Sequence, residues 1–428
     1  MRVCVIGMGK IGLPLATQIA TKGLEVVGLE LNEDLVNKIN AEVCPYPEEF
    51  DLEVKLKDVV NNGTFKVTLD VQFAVTNSQV ILFAIPLLTN SDNKPDFENY
   101  DQLIKSIASK ISPGTLLLFE TTLPIGTTRN RFLEQIKIES DLIPGQNLFV
   151  AYSPERVTTG RVFSDLRKYP KIVGGLEEVS ASKARDFYHT ILDFDIRLDL
   201  EKANGVWVVE SIEAAEFVKL AETTYRDVNI GLANQFAIHA LRHGISFSEV
   251  RNCANSQPYS HLHEPGIAVG GHCIPVYPHF YTYTDNSASI VKNARDVNSR
   301  MPDFFVAEIE NRLGSLKNIK ILILGISYRE NVRETAYSGS LAILKILKSK
   351  GALVFAEDLQ FDKNELESLG FNPNYETADV EVIVVQTKDR NFLRIDYSDF
   401  VNLKLVADGR DFLRNSVLDL NIDYFSLG

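Results

Sequence analysis

Residues 265–278 read Pro-Gly-Ile-Ala-Val-Gly-Gly-His-Cys-Ile-Pro-Val-Tyr-Pro, and the reactive group among them is a thiol. Cys273 follows the paired glycines Gly270 and Gly271 in a segment bracketed by prolines. Glycines permit unusual dihedrals and close approach of a ligand to the backbone, so this thiol is placed for exposure rather than packing. Cys4, Cys44, Cys253 and Cys273 are widely spaced and form no C-x-x-C pair, which indicates neither a disulfide framework nor a structural zinc site. In a reducing compartment each is a buried small hydrophobe or a reactive thiol, and Cys4, inside an apolar run, reads as the former. His272 either lowers the pKa of the neighbouring thiol or is a spacer. His261 and His263 have no third ligand in sight, so no metal site is expected.

A second pattern addresses phosphate. Gly7-Met8-Gly9-Lys10-Ile11-Gly12 is G-x-G-x-x-G between an apolar strand and an apolar helix. Its first glycine suits a tight turn, its second lets a pyrophosphate approach, and its third lets helix pack on strand. The helix N-terminus then offers unpaired N–H groups to the phosphates. Glu30 ends the next strand at the spacing where a carboxylate accepts from a ribose 2′-hydroxyl and repels a 2′-phosphate, which favours NAD over NADP. Gly7, Gly9, Lys10, Ile11, Gly12, Glu30 and Thr122 are the expected cofactor contacts.

These groups need a frame. Strand-like runs at Arg2–Ile6, Glu25–Glu30, Gln79–Ile85, Thr115–Glu120 and Asn147–Ala151 alternate with helix-like stretches, among them Ile11–Thr21 and Thr127–Ile138. That alternation predicts a parallel, doubly wound sheet. From Ser211 to His243 there is no proline and only one glycine, and Ala214, Phe217, Val218, Ala221, Val228, Leu232, Phe236 and Ala240 form one apolar stripe. The spacing predicts a spine helix that also carries a homodimer contact. Strand runs resume at Lys320–Leu324, Ala352–Ala356, Glu381–Gln386 and Lys404–Ala407. The expected fold class is α/β, two Rossmann-like lobes joined by a long central helix. Its domains are 1–200 for the cofactor, 201–305 for the helix and thiol loop, and 306–428 for the second Rossmann-like lobe.

A net charge of −13, from 44 basic and 57 acidic residues, argues against nucleic acid as a partner, because phosphate-backbone binding needs a basic face. No apolar run reaches the roughly 18–20 residues of a membrane span, and the N-terminus lacks a signal-peptide layout, so a cytoplasmic protein is expected.

The thiol loop resembles the active-site loop of the UDP-glucose/GDP-mannose dehydrogenase family, whose pattern is G-G-x-C, an apolar residue and Pro. The resemblance runs along essentially the whole chain. Thr121-Thr122-Leu123-Pro124-Ile125-Gly126-Thr127 is similar to the family's Thr-x-Pro-x-Gly-Thr segment, and Ser153-Pro154-Glu155-Arg156 to its S/N-P-E motif. Lys171-Ile172-Val173-Gly174-Gly175 resembles its (R/K)-I-V-G-G strand, Lys219 stands where it keeps a helix lysine, and Gly325–Arg329 resembles G-x-x-Y-K. The resemblance implies oxidation of a nucleotide-sugar C6 alcohol to a carboxylate. An aldehyde is captured by Cys273 as a thiohemiacetal, oxidised to a thioester and hydrolysed, with NAD taking the hydrides.

The resemblance also implies roles for single residues. Lys219 faces the C6 oxyanion, Glu155 activates water, Thr122 positions water or substrate, and Thr223 stands where the family often pairs an Asn with the lysine around the oxyanion. Arg156, Lys219, Gly270, Gly271 and Arg329 contact substrate. Read from the sequence itself, Arg156, Arg161 and Lys171 cluster after Glu155, where they neutralise the diphosphate, contact the sugar or form a solvated charged loop. Ser-Pro-Glu-Arg-Val with Gly-Gly-His-Cys lies nearer the UDP-N-acetylhexosamine branch, which implies UDP-N-acetylmannosamine or UDP-N-acetylglucosamine and a product for surface polysaccharide. UDP-glucose and GDP-mannose remain as alternatives. Thr223 replaces a frequent Asn, Tyr277 a frequent Asp, and Arg333–Ser338 departs from the family's D-x-R-E-S-P segment. These departures leave open a different sugar, slowed thioester hydrolysis, or a non-catalytic nucleotide-sugar-binding homologue. A two-electron hydroxyacid dehydrogenase would need neither Cys273 nor the second lobe.

Overall fold

The computed structural model describes all 428 residues. Its contacts divide the chain into two units, Met1–Glu222 with His279–Thr284, and Thr223–Pro278 with Asp285–Gly428.

The first unit is built on an eight-stranded sheet: β1 (Arg2–Ile6), β2 (Glu25–Leu29), β3 (Phe65–Thr68), β4 (Val80–Phe83), β5 (Thr115–Phe119), β6 (Leu148–Tyr152), β7 (Lys171–Gly175) and β8 (Val206–Val209). Their spatial order is β8-β7-β6-β5-β4-β1-β2-β3. Neighbours are parallel except β6 against β7. Strands covered on both faces read as near-continuous apolar runs, and β4 and β5 are buried throughout. Helix α1 (Gly12–Thr21) packs on this sheet, and α2 (Glu178–Ile191) presents Ala184, Phe187, Tyr188 and Ile191 to its core. The helix expected at 127–138 starts instead as a π-helical stretch, Thr128–Leu133, and becomes α-helical only at Glu134.

The spine is helix α3 (Ile212–Arg242), 31 residues long. Of the expected apolar stripe, Ala240 is buried, Ala214, Val218 and Val228 are half-buried, and Phe217, Ala221, Leu232 and Phe236 are exposed. Phe217, Tyr225, Leu232 and Phe236 are each at least 40% exposed, whereas Glu216, Lys219, Thr223, Thr224, Asp227 and Asn234 are buried. A polar face can be buried only where its groups are matched. In the first unit Glu216 accepts from the N–H groups of Gly126 at 2.5 Å and Thr128 at 2.9 Å. In the second, Asn298 of helix α4 (Ser289–Leu313) donates to Asp227 at 2.8 Å and accepts from Asn234 at 2.8 Å. Arg295 pairs with Asp227 at 2.7 Å, and Gly231 lets α3 meet the backbone of Ala294.

The second unit carries a five-stranded parallel sheet: β9 (Lys320–Leu324), β10 (Leu353–Glu357), β11 (Val382–Val385), β12 (Leu405–Asp408) and β13 (Asp423–Ser426). The order is β10-β9-β11-β12-β13, and α5 (Gly339–Ser349) follows β9. Both sheets therefore reverse direction beside their first strand, the point at which doubly wound sheets bind ligands. No helix is long and apolar enough to cross a membrane.

Candidate active site

In the first unit the glycine turn has the form a dinucleotide requires. Gly7 sits at φ +92°, and a Cβ there would press on Ile85. A Cβ on Gly12 would run into the carbonyl of Gly7, while one on Gly9 would meet nothing within 4 Å, so the turn is tight below and open above. Helix α1 has no side-chain cap, which leaves its N–H groups to a phosphate. Glu30 is held ready by three amides, Met8 at 2.9 Å, Leu31 at 2.8 Å and Asn32 at 3.0 Å. Lys10 pairs with Glu48 at 3.3 Å, and Ile11 sits at the start of α1.

Thr122 is buried on the loop after β5, and that loop is tied to α3 through Glu216, one turn before Lys219. The hydroxyl of Thr128 adds a third donor to Glu216 at 2.7 Å. Burial still pushes the Glu216 carboxyl up to about 7, with these donors opposing. Lys219 itself is 9% exposed. Arg156 reaches Glu222 at 2.5 Å and the Pro170 carbonyl at 3.1 Å, while its Nε has no partner. Arg161 stays on the surface against Asp165. Lys171 is not a diphosphate contact, because it lies buried between Glu120 and Glu155.

In the second unit the thiol loop is fixed along its length. Gly266 donates to Asn234 at 3.0 Å, Gly271 donates to the Ala336 carbonyl at 2.8 Å, and Arg295 donates to the Ile274 carbonyl at 3.4 Å. Gly270 and Gly271 lie against the Tyr328 side chain, where a Cβ on Gly270 would collide, and Gly271 has φ +88°. Cys273 is half-buried, and its carbonyl accepts from Val276 and from Tyr277, which opens the helix Tyr277–Thr284. His272 is exposed and meets Glu334 at 3.1 Å. Thr223 is buried on α3.

At the sheet reversal of this unit, Ser327 Oγ and Gln386 Oε1 are buried without a partner, orphans of the kind a bound ligand satisfies. Arg329 donates to the Tyr328 hydroxyl at 3.1 Å. Arg410, after β12, is a residue that sequence reasoning misses, yet it donates to the carbonyls of Gln386 at 3.1 Å and Pro265 at 3.4 Å. Burial lowers its pKa, with Glu264 opposing. The available signal is an arginine two residues past the end of an apolar strand, where parallel sheets present ligand-binding groups.

Three family models match in sequence order: the NAD binding domain of the UDP-glucose/GDP-mannose dehydrogenase family over residues 1–192, its central domain over 213–300, and its UDP binding domain over 322–415. The chain belongs to this family. It is an NAD-dependent nucleotide-sugar dehydrogenase. Among its relatives is the UDP-N-acetyl-D-mannosamine dehydrogenase of Methanocaldococcus jannaschii, 32% identical over 97% of this chain and 93% of that one. The enzyme of that name from Pyrococcus horikoshii is 31% identical over 97% and 96%. A solved structure of the Pyrococcus horikoshii UDP-D-ManNAc dehydrogenase superposes with a TM-score of 0.88 at 28% identity, covering 100% of this chain and 99% of that one. Family membership fits the open glycine turn, and NAD is the cofactor.

Proposed function

We propose that this enzyme oxidises the C6 alcohol of a UDP-N-acetylhexosamine, UDP-N-acetylmannosamine first, to the uronate through a thioester on Cys273. The observation that carries the reading is the half-buried thiol at the centre of a loop anchored by Asn234, Ala336 and Arg295. Reacting groups must be held within a few tenths of an ångström, and a loop anchored along its length meets that need. The names of the methanogen and Pyrococcus relatives support the sugar.

In this reading Cys273 as thiolate adds to the C6 aldehyde, forming the C–S bond of a thiohemiacetal. Loss of hydride and the hydroxyl proton gives the thioester, and water cleaves the C–S bond to return the thiolate and the carboxylate. NAD, when bound, accepts the hydride of each oxidation. Lys219 opposes the charge on the C6 oxygen, Thr122 and Thr223 orient substrate and water, and Glu155 receives the proton of the attacking water. Arg156, Gly270, Gly271 and Arg329 contact the nucleotide sugar. The functional division follows 1–200, 201–305 and 306–428. The exposed residues Phe217, Tyr225, Leu232 and Phe236 of α3 form a homodimer contact in a cytoplasmic enzyme.

The test is NADH formation from UDP-N-acetylmannosamine, UDP-N-acetylglucosamine, UDP-glucose and GDP-mannose, with wild type beside Cys273→Ser. The expected result is two NADH per sugar for one UDP-N-acetylhexosamine, and none or an arrested turnover in the variant. Full turnover without the thiol sinks the thioester route. No turnover on any sugar, with NAD still bound, favours a nucleotide-sugar-binding protein that the changes to Thr223 and Tyr277 have disarmed. Light scattering on the same preparation reads the dimer.

A further inference from the structure

The first unit buries more negative charge than it pairs. Lys171, the first residue of β7, places Nζ 3.0 Å from Oε2 of Glu120 and 2.9 Å from Oε2 of Glu155. Their side chains are 6%, 1% and 12% exposed for Lys171, Glu120 and Glu155. From α2, the Tyr188 hydroxyl donates to Oε1 of Glu120 at 2.5 Å, and its ring centroid lies 4.9 Å from the Lys171 ammonium. Arg156, the next charge along, is directed to Glu222 and the Pro170 carbonyl instead. The groups facing the two carboxyls are therefore Lys171 of β7, Tyr188 of α2 and each other.

Two carboxylates against one ammonium leave one negative charge uncompensated, and a buried unpaired charge costs several kcal/mol. Binding one proton removes it, as in other buried carboxyl pairs. The donor sets decide where that proton resides. Glu155 accepts from the amides of Arg156 at 2.5 Å and Val157 at 2.9 Å, and from Lys171, so its ionised form is well supplied. Glu120 has the Tyr188 hydroxyl on Oε1 and the Lys171 ammonium 3.0 Å from Oε2, but no backbone amide donates to either oxygen, so its ionised form is less well supplied.

We propose that Glu120 and Glu155 form one proton-sharing pair bridged by Lys171, with Glu120 the positioning residue that stores the proton and Glu155 the carboxylate that meets water. This rests on the assignment of Glu155 as the base of thioester hydrolysis. Water gives its proton to Glu155 as its oxygen bonds to the thioester carbon and the C–S bond breaks. The proton then passes to ionised Glu120, and Glu155 is again a carboxylate. The electrostatics agree. Burial raises the Glu120 carboxyl to about 7 against the opposing charge of Lys171. For Glu155 the Lys171 charge and the hydrogen bonds outweigh burial and hold the carboxyl below its ordinary value.

Hydrolysis then requires the pair to start without its shared proton, so its rate rises with pH through the titration of Glu120. The experiment follows uronate release from the covalent enzyme in single turnover across pH, with infrared difference spectra of the carboxylic-acid stretch in the same proteins. Glu120→Gln is expected to lose the inflection near neutrality and to slow release by about tenfold or more, with KM for the sugar unchanged. The stretch that titrates near neutrality in wild type should be absent from Glu120→Gln, which separates it from that of Glu216. Tyr188→Phe keeps both carboxyls and removes a donor from ionised Glu120, so its inflection moves upward. An inflection and a stretch that persist in Glu120→Gln and vanish in Glu155→Gln overturn the proposal. A titrating stretch that belongs to Glu120, with release unaffected by Glu155→Gln, overturns instead the assignment of Glu155 as base.

Discussion

After β1 the chain turns at Gly7, whose amide donates to the Leu29 carbonyl at 2.8 Å; after β9 it turns at Gly325, whose amide donates to the Glu357 carbonyl at 2.8 Å. Both glycines have positive φ, +92° and +84°. In the first turn Met8 donates to Glu30 at the end of β2 at 2.9 Å, and in the second Ile326 donates to Asp358 at the end of β10 at 2.8 Å. Beyond that point the turns diverge. The first enters α1 directly and leaves its N-terminus without a side-chain cap. The second runs through Ile326–Ser338 before α5, whose N-terminus is capped by Ser338. The shared construction is scaffold, and the ligand is decided by the segment that leads from each turn into its helix. An open helix end attracts a pyrophosphate, whereas a capped one leaves recognition to side chains, the role we propose for Arg329 and Arg410.

The glycines test this most severely. Gly12→Ala puts a Cβ onto the Gly7 carbonyl, so NAD binding should be lost and the fold weakened by about 1–3 kcal/mol, the usual cost of overpacking. Gly9→Ala meets nothing within 4 Å, so calorimetry should find NAD weakened by about tenfold or more, with thermal stability unchanged. Gly325→Ala forces a Cβ onto the Thr387 side chain at a positive φ, so it should cost stability and leave NAD affinity alone. If Gly325→Ala weakened NAD as Gly12→Ala does, the division of labour between the turns would be wrong.

The first turn is legible in sequence because its signals are local. Gly7, Gly9, Gly12 and Glu30 lie within one β-α-β unit, and β1 and β9 fall where apolar runs place them. The loop of Cys273 is legible for the same reason, since its glycines and prolines are contiguous. The buried face of α3 is not. Phe217, Ala221, Leu232 and Phe236 of its apolar stripe stay exposed while polar residues turn inward, because Glu216 finds Gly126 and Thr128 90 and 88 residues away, and Asp227 finds Arg295 68 residues away. Charge alone makes Lys171 read as a surface group for a diphosphate; only the fold brings it between Glu120 and Glu155. Polar residues that satisfy one another over such distances carry no periodic signature.

A smaller effect separates the two acids. Glu30→Gln turns one of two oxygens that both accept from amides into a donor and gives up the charge that we propose orients ribose hydroxyls, so NAD should bind about three- to tenfold more weakly. Asp358→Asn changes the matching group of the second turn, where Oδ2 accepts from Ile326 at 2.8 Å and Oδ1 from Gln360 at 2.8 Å. It should lower stability by about 1 kcal/mol and leave the NAD dissociation constant where it was. Equal losses of NAD affinity in the two variants would mean that the second acid takes part in cofactor binding.

Ser338→Ala gives the smallest effect and the finest discrimination. The Ser338 hydroxyl donates to the Ile326 carbonyl at 2.7 Å and caps α5 by accepting from Ser340 at 3.3 Å. Ser340 donates to the same carbonyl at 2.7 Å, so the variant leaves that oxygen one donor and leaves the helix end uncapped. Loss of a serine cap costs about 1 kcal/mol, and the surviving Ser340 bond keeps the cost at or below that. The variant also makes the end of α5 resemble that of α1. If an uncapped N-terminus is what admits phosphate, Ser338→Ala should gain weak affinity for inorganic phosphate, measured by thermal shift at constant ionic strength, while wild type shows none. If phosphate affects neither protein, the difference between the turns lies in the loop Ile326–Ser338 itself, which keeps the helix end covered with or without the serine.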